Sequence, residues 1–230
     1  MSNDLDLLLS RLSFQKRYGS YGFCPSLVWG FLMLSIVSVS LPGCSLTQPA
    51  PAVQHYVLRP TVPEEIPQLA VHNRHTLLVR SFTARDPYDQ QRLVYRSSPY
   101  QLDFYTYHRW AASPAEQITD WTRQYLRSTG LFVKVFPTAE GSADMIDMVL
   151  GGTIRHIEEI DHDQTWQAAL SIDIWLTRPP QRTPFWFESY SATRQAAKRN
   201  PAAIAEAMSR NLETILQQLT TDLMPVVAGE

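Results

Sequence analysis

The stretch Thr165-Trp166-Gln167-Ala168-Ala169-Leu170-Ser171-Ile172-Asp173-Ile174-Trp175-Leu176-Thr177 decides the fold. Trp166, Ala168, Leu170, Ile172, Ile174 and Leu176 alternate strictly, with mostly polar residues between them. A period of two sustained over this length is a strand with one buried face, the pattern of an antiparallel sheet. The preceding run, 148–160, reads as its hairpin partner across a polar turn at Asp161-His162-Asp163-Gln164. Residues 183–193, after Pro179-Pro180, add a third antiparallel strand.

Outward from this meander the periodicity changes. Asn200-Pro201 caps a final helix whose apolar stripe is Ile204, Met208, Leu212, Ile215, Leu219 and Leu223, spaced by three or four. Upstream, Ser113-Pro114-Ala115-Glu116 combines a Ser N-cap, Pro at the first helical position and Glu as a capping box. Ile118, Trp121, Tyr125 and Leu126 then share one helix face, and Gly130 supplies the stop. Short strands are expected at Tyr56-Val57-Leu58, at Thr76-Leu77-Leu78-Val79-Arg80-Ser81-Phe82 and at Phe132-Val133-Lys134-Val135-Phe136. Leu93-Val94-Tyr95-Arg96 and Gln101-Leu102-Asp103-Phe104-Tyr105 form two more around a turn at Ser97-Ser98-Pro99. The expectation is an α/β (α+β) two-layer sandwich: a mixed, mostly antiparallel sheet with two amphipathic helices on one face.

The start of the chain has a different logic. Arg11, Lys16 and Arg17 precede an uncharged run of 15 residues, Leu27 to Leu41. That is short of the roughly 20 residues a helix needs to span hydrocarbon. A run of this length behind a basic region reads as an export signal. Leu41-Pro42-Gly43-Cys44 ends it, and these four residues resemble the lipobox of bacterial lipoproteins, with Pro42 departing from the usual small residue. The chain therefore divides into a signal peptide with lipobox (1–43), a lipidated tether (44–54) and one periplasmic domain (55–230). Cys44 is the expected lipidation site, and its covalent lipid is the only prosthetic group expected. From Cys44 to Tyr56 the extended tether reaches at most about 40 Å, so the domain works close to its membrane. By resemblance to enterobacterial sorting, Ser45 after Cys44 favours the outer membrane. Cys24 precedes the apolar run and is a poor acceptor.

Composition limits the function. Formal charge is −2 over 230 residues, and about −3 once 1–43 are set aside. A near-neutral domain lacks the basic footprint of a nucleic-acid binder. With two cysteines in all, neither a disulfide framework nor a cysteine-rich zinc site is expected. There is no nucleophile elbow, phosphate loop or metal helix, and no enzyme is expected. Gly151-Gly152, inside a predicted strand, reads as a bulge or close backbone approach. Asp161-His162-Asp163 reads as a hairpin turn before a metal site. Glu158-Glu159 with Asp161 and Asp163 forms an acidic cluster, read either as a solvated edge or as a surface meeting a basic partner. His55, His72, His75, His108 and His156 show no ligand spacing.

Leu93-Val94-Tyr95-Arg96 followed by Tyr105-Thr106-Tyr107-His108-Arg109-Trp110-Ala111-Ala112-Ser113-Pro114 resembles the signature of the ABC-type transport auxiliary lipoprotein family, which includes the paraquat-inducible protein C type. Tyr56-Val57-Leu58 and the Ser-Thr-Gly-Leu-Phe-Val-Lys-Val run at 128–135 agree with it, so the resemblance spans most of 54–223. It implies a non-catalytic docking or scaffolding role beside an MCE-type lipid transport system. The implied partners are MCE-domain proteins, an ABC transporter or permease, phospholipid itself and further copies of the chain. Tyr105, Tyr107, Arg109 and Trp110 are the candidate partner-binding residues, since aromatic and Arg side chains dominate interface hot spots. The competing reading makes Trp110 and Phe104 core and lets Tyr105, Tyr107 and Arg109 fix the strand-to-helix junction. A second function stays open on the sequence: a structural or regulatory envelope lipoprotein contacting cell-wall synthesis machinery.

Overall fold

The computed structural model of the chain describes residues 49–62, 75–136, 145–162 and 165–228. The expected export signal, Cys44 and the first residues of the expected tether lie outside them, as do Asp163 and Gln164 of the predicted turn. In chain order the first strands are β1 (Gln54–Tyr56), β2 (Thr76–Val79), β3 (Thr83–Ala84), β4 (Arg92–Ser98) and β5 (Gln101–Trp110). Helix α1 (Pro114–Ser128) follows, then β6 (Lys134–Phe136), β7 (Met148–His162), β8 (Thr165–Thr177) and β9 (Trp186–Gln195). Helix α2 (Pro201–Ala228) completes the set. No helix among the described residues is long and apolar enough to cross a membrane.

β7 is the hub of an open, mixed nine-stranded sheet. One of its edges pairs antiparallel with β8, which in turn carries β9. The other edge serves β2, β3 and β4 in succession, all parallel to it. β6 pairs parallel with β2, β5 antiparallel with β4, and β1 parallel with β5. Parallel pairings are numerous but short, and the long ladders are the antiparallel ones of the predicted meander. The β7–β8 register slips between Ile154 and His156, so the bulge sits at Arg155.

The alternating residues of β8 from Ala168 to Leu176 are buried against the helices. All six residues of the α2 stripe are at most 1 % exposed, and each such buried side chain contributes about 1.5–3 kcal/mol. The predicted cap of α1 forms: the Glu116 N–H donates to Ser113 Oγ at 3.2 Å. Gly130 takes φ 66° just past the helix end, a conformation open to glycine at little cost. Asn200 Oδ1 accepts from the Ala203 N–H at 2.9 Å and caps α2.

Residues 58–61 lace the two helices together. The Leu58 N–H donates to Gln117 of α1 at 2.8 Å, and Trp121 Nε1 donates to the Leu58 carbonyl at 2.8 Å. The next N–H groups turn to α2, Arg59 to Ser209 Oγ at 3.0 Å and Thr61 to Glu213 at 3.1 Å.

Strand ends shift by a residue or two at Gln54–Tyr56 and Lys134–Phe136, Asp161 and His162 of the expected turn pair within β7, and three larger expectations change. The strand predicted through Phe82 stops at Val79, because the Phe82 N–H turns to Thr119 Oγ1 of α1 at 2.9 Å. The kink delivers the Phe82 ring onto Gly152, where an added Cβ would lie 2.5 Å from the ring. β5 runs on to Trp110 instead of ending near Tyr105. Glu158 and Glu159 are not a solvated edge: they are 6 % and 2 % exposed, inside the sheet on opposite faces. Their partners come from distant strands and a loop, so the local charge run misreads them.

Candidate functional site

The candidate residues of β5 lie on a deformation of that strand. Val94 pairs with Phe104 and Arg92 with Arg109, so Leu93 alone stands opposite the four residues 105–108. Three surplus residues make an enlarged, bent bulge, a device that re-aims side chains. Beyond it, β1 docks onto the re-aimed segment with Gln54, His55 and Tyr56 beside His108, Arg109 and Trp110.

The bulge sends the four predicted residues to different fates. Trp110 is 2 % exposed and belongs to the core. Tyr105 is half-buried, and its hydroxyl donates to both carboxylate oxygens of Glu159 at 3.1 Å. Tyr107 points outward with 37 % of its surface exposed. Arg109 is half-buried, and its Nε is buried without a hydrogen-bond partner among the described residues. The sequence motif therefore serves core and surface together.

Four side chains beyond those four candidates complete the site. The rings of Tyr95, Tyr105, His108 and Tyr56 form a continuous chain, with successive centroids 5.0, 5.3 and 5.8 Å apart. Tyr56 Oη lies 2.8 Å from His108 Nδ1 and donates to Gln54 at 2.8 Å. The fourth is Glu159. It stands opposite Ala168 on the helix-covered face of β7. Burial raises its carboxyl, Asp161 nearby adds to the rise, and the Tyr105 bond and Arg199 only partly offset it, so the pKa is pushed up to about 7. Burial and the Glu159 charge hold the Tyr105 hydroxyl well above its ordinary range. The acidic cluster named Glu159 but not its burial; strand alternation at 157–161 is the signal for that, since an acid at a core-phase position needs a buried partner.

On the other face, Arg96 grips Glu158 with a two-point fork, Nε to Oε1 and a terminal nitrogen to Oε2, each 2.9 Å. The Tyr88 hydroxyl donates to Glu158 at 2.7 Å and lies 3.1 Å from His156 Nδ1. Burial, then Glu158, pushes the Tyr88 hydroxyl up to about 12. The group is fully paired and pins the 85–91 loop to the sheet. Asp161 is ion-paired to Arg199 at 3.1 Å, and the Arg199 guanidinium lies over the Trp166 ring at 5.1 Å. Asp163 of the weighed metal triplet lies outside the described residues, among which no group of three potential ligands occurs. His72 also lies outside them. The arrangement offers aromatic surface, one underused guanidinium and a buried proton-binding carboxyl.

No curated protein matches the chain. A solved Xanthomonas campestris protein of the DUF330 family is similar in fold, with a TM-score of 0.65 at 17 % identity, covering 75 % of this chain and 95 % of that one. A second solved, uncharacterized protein gives a TM-score of 0.59 at 15 % identity, covering 75 % and 99 %. The family model described as ABC-type transport auxiliary lipoprotein component matches residues 56–220, from the aromatic chain to the last turns of α2. That match takes in the bulged strand, its ring cluster and both helices, and the chain belongs to the ABC-type transport auxiliary lipoprotein family.

Proposed function

We propose that this chain is a non-catalytic docking subunit of an MCE-type lipid transport system, held to the periplasmic side of the outer membrane by a lipid on Cys44. Family membership supports the association with an ABC transport system. The observation that carries the docking reading is the bulge of β5. It costs ladder bonds, exposes Tyr107 and leaves the Arg109 Nε unpaired, an arrangement that a purely structural strand gains nothing from. Arg109 is only half-buried, and its accessible part, with the exposed Tyr107, is what a partner's carboxylate or carbonyl would meet. The site is close to the anchor: Cys44 and Gln54 are ten residues apart, at most about 35 Å of chain. The partner is then an MCE-domain protein or a permease component at the membrane, with phospholipid as the cargo of the system.

Crosslinking of the full-length lipoprotein in its native envelope, followed by mass spectrometry, tests this. The expected product is an MCE-domain or permease protein, with Arg109→Ala lowering its affinity about 30-fold, the scale of an interface hot spot, at an unchanged melting temperature. Recovery of cell-wall synthases alone would turn the reading to a structural or regulatory envelope lipoprotein, and self-crosslinks alone would make the surface an oligomer contact. Cys44→Ala is expected to leave the membrane fraction.

A further inference from the structure

The sheet face without helices is polar over much of its area, with Thr83, Thr153, Asp173 and Ser189 in one register row and Ser171 beside Ser191 in another. Near the start of β7 its character changes. Phe136 of β6, Leu78 of β2 and Val149 of β7 pair in register, and two residues on, Gly151, Trp175 of β8 and Phe187 of β9 do the same. An apolar band thus crosses five strands. The Trp175 indole is seated on the bare Gly151 backbone, 2.6 Å from where a Cβ would be. Phe187 and Phe185 remain 54 % and 41 % exposed, although water-facing sheet surface is ordinarily polar.

A cavity of about 430 Å³ opens beside this band, lined by Arg80, Val149, Trp175, Thr177, Pro179 and Arg182 among others. Its size suits a small ligand or a headgroup, not a protein element. Two guanidinium groups line it and no carboxylate does, among the described residues. Arg80 and Arg182 are both exposed. Guanidinium forks match phosphate oxygens in pairs, and an indole floor accepts an apolar segment beside them.

We propose that this cavity binds the phosphate-bearing headgroup of an anionic phospholipid, with Arg80 and Arg182 on the phosphate and Trp175 and Phe187 against the glycerol and first acyl methylenes. A free anion uses only the arginines and leaves the aromatic side of the cavity exposed, so the lipid is the occupant that satisfies both halves. The site is separate from the bulge of β5: Val149 and Glu159 lie ten residues apart on β7, about 30 Å at strand rise.

Full-length protein in a neutral maltoside detergent, labelled with 5-fluorotryptophan, gives a direct readout once Trp175→Phe assigns its resonance. Titration with phosphatidylglycerol is expected to shift that resonance, and native mass spectrometry to count one bound lipid. Arg80→Gln with Arg182→Gln is expected to weaken binding at least tenfold. Phe187→Ser is expected to weaken lipid binding while leaving any inorganic-phosphate response unchanged, and Arg182→Gln alone serves if the double variant fails to fold. An equal shift with inorganic phosphate would make this a free-anion site, and undiminished lipid binding by the arginine variants would place the lipid elsewhere. Either result overturns the proposal.

Discussion

β7 carries two doublets, Gly151-Gly152 near its start and Glu158-Glu159 near its end, and each sends one residue to either face of the sheet. At the first, neighbouring rings fill the space that side chains would take: Trp175 on one face and Phe82 on the other. At the second, the strand supplies two carboxylates, and neighbours neutralise or bury them: Arg96 and Tyr88 hold Glu158, and Tyr105 meets Glu159. One strand is thus closed by hydrocarbon at one end and by charge at the other. Packing of the first kind depends on volume and ignores pH. The second depends on pairing and responds to protons.

The contrast can be broken most severely at Arg96. Arg96→Met leaves Glu158 buried with a hydroxyl as its remaining partner, and is expected to cost about 3–5 kcal/mol in urea unfolding. Adding Glu158→Gln should restore most of this, and a cost below about 1 kcal/mol for the single variant would mean that the fork does not hold the charge. Next in size is Glu159. Its ordinary value is 4.5 and its folded value about 7, so between those two the folded state keeps a proton that the unfolded chain has released. Stability is therefore greatest below pH 4.5 as far as this group is concerned, and falls as pH rises through 7, by about 3 kcal/mol in total. Glu159→Gln should flatten that part of the pH profile and be the more stable protein at pH 8; parallel profiles for the two would exclude a shifted carboxyl. The smallest effects separate the glycines. Gly152→Ala drives a methyl into Phe82, which is 4 % exposed and cannot retreat, for about 2 kcal/mol. Gly151→Ala meets the half-buried Trp175, whose ring can swing outward, and the backbone gain of alanine offsets part of the cost. A change within about 1 kcal/mol is expected there, and equal losses at both glycines would erase the distinction.

Sequence periodicity read the helices and the meander well, because caps and stripes are local. Ser113 and Glu116 are three residues apart, and the α2 stripe repeats every turn. What it missed is set by partners far along the chain. Arg96 and Tyr88 lie 62 and 70 residues from Glu158, so nothing near Glu158 announces their arrival, and two adjacent acids read as solvent-facing. The β5 bulge is hidden for a related reason. Register belongs to a pair of strands, and Tyr105-Thr106-Tyr107-His108 gives no sign that only Leu93 will face it. The family motif located the site, while the division of its residues between core (Trp110), buried contact (Tyr105) and surface (Tyr107) needed the paired backbone.

The lacing by residues 54–61 has a mechanical consequence. Tension entering the domain from residue 53 meets three parallel pairs with β5 first. It then passes to Gln117 and Trp121 of α1, and from there to Ser209 and Glu213 of α2. Within eight residues a pull at residue 53 is shared between the sheet and both helices, so the load is carried by the whole domain and the aromatic chain at Tyr56 lies on its path.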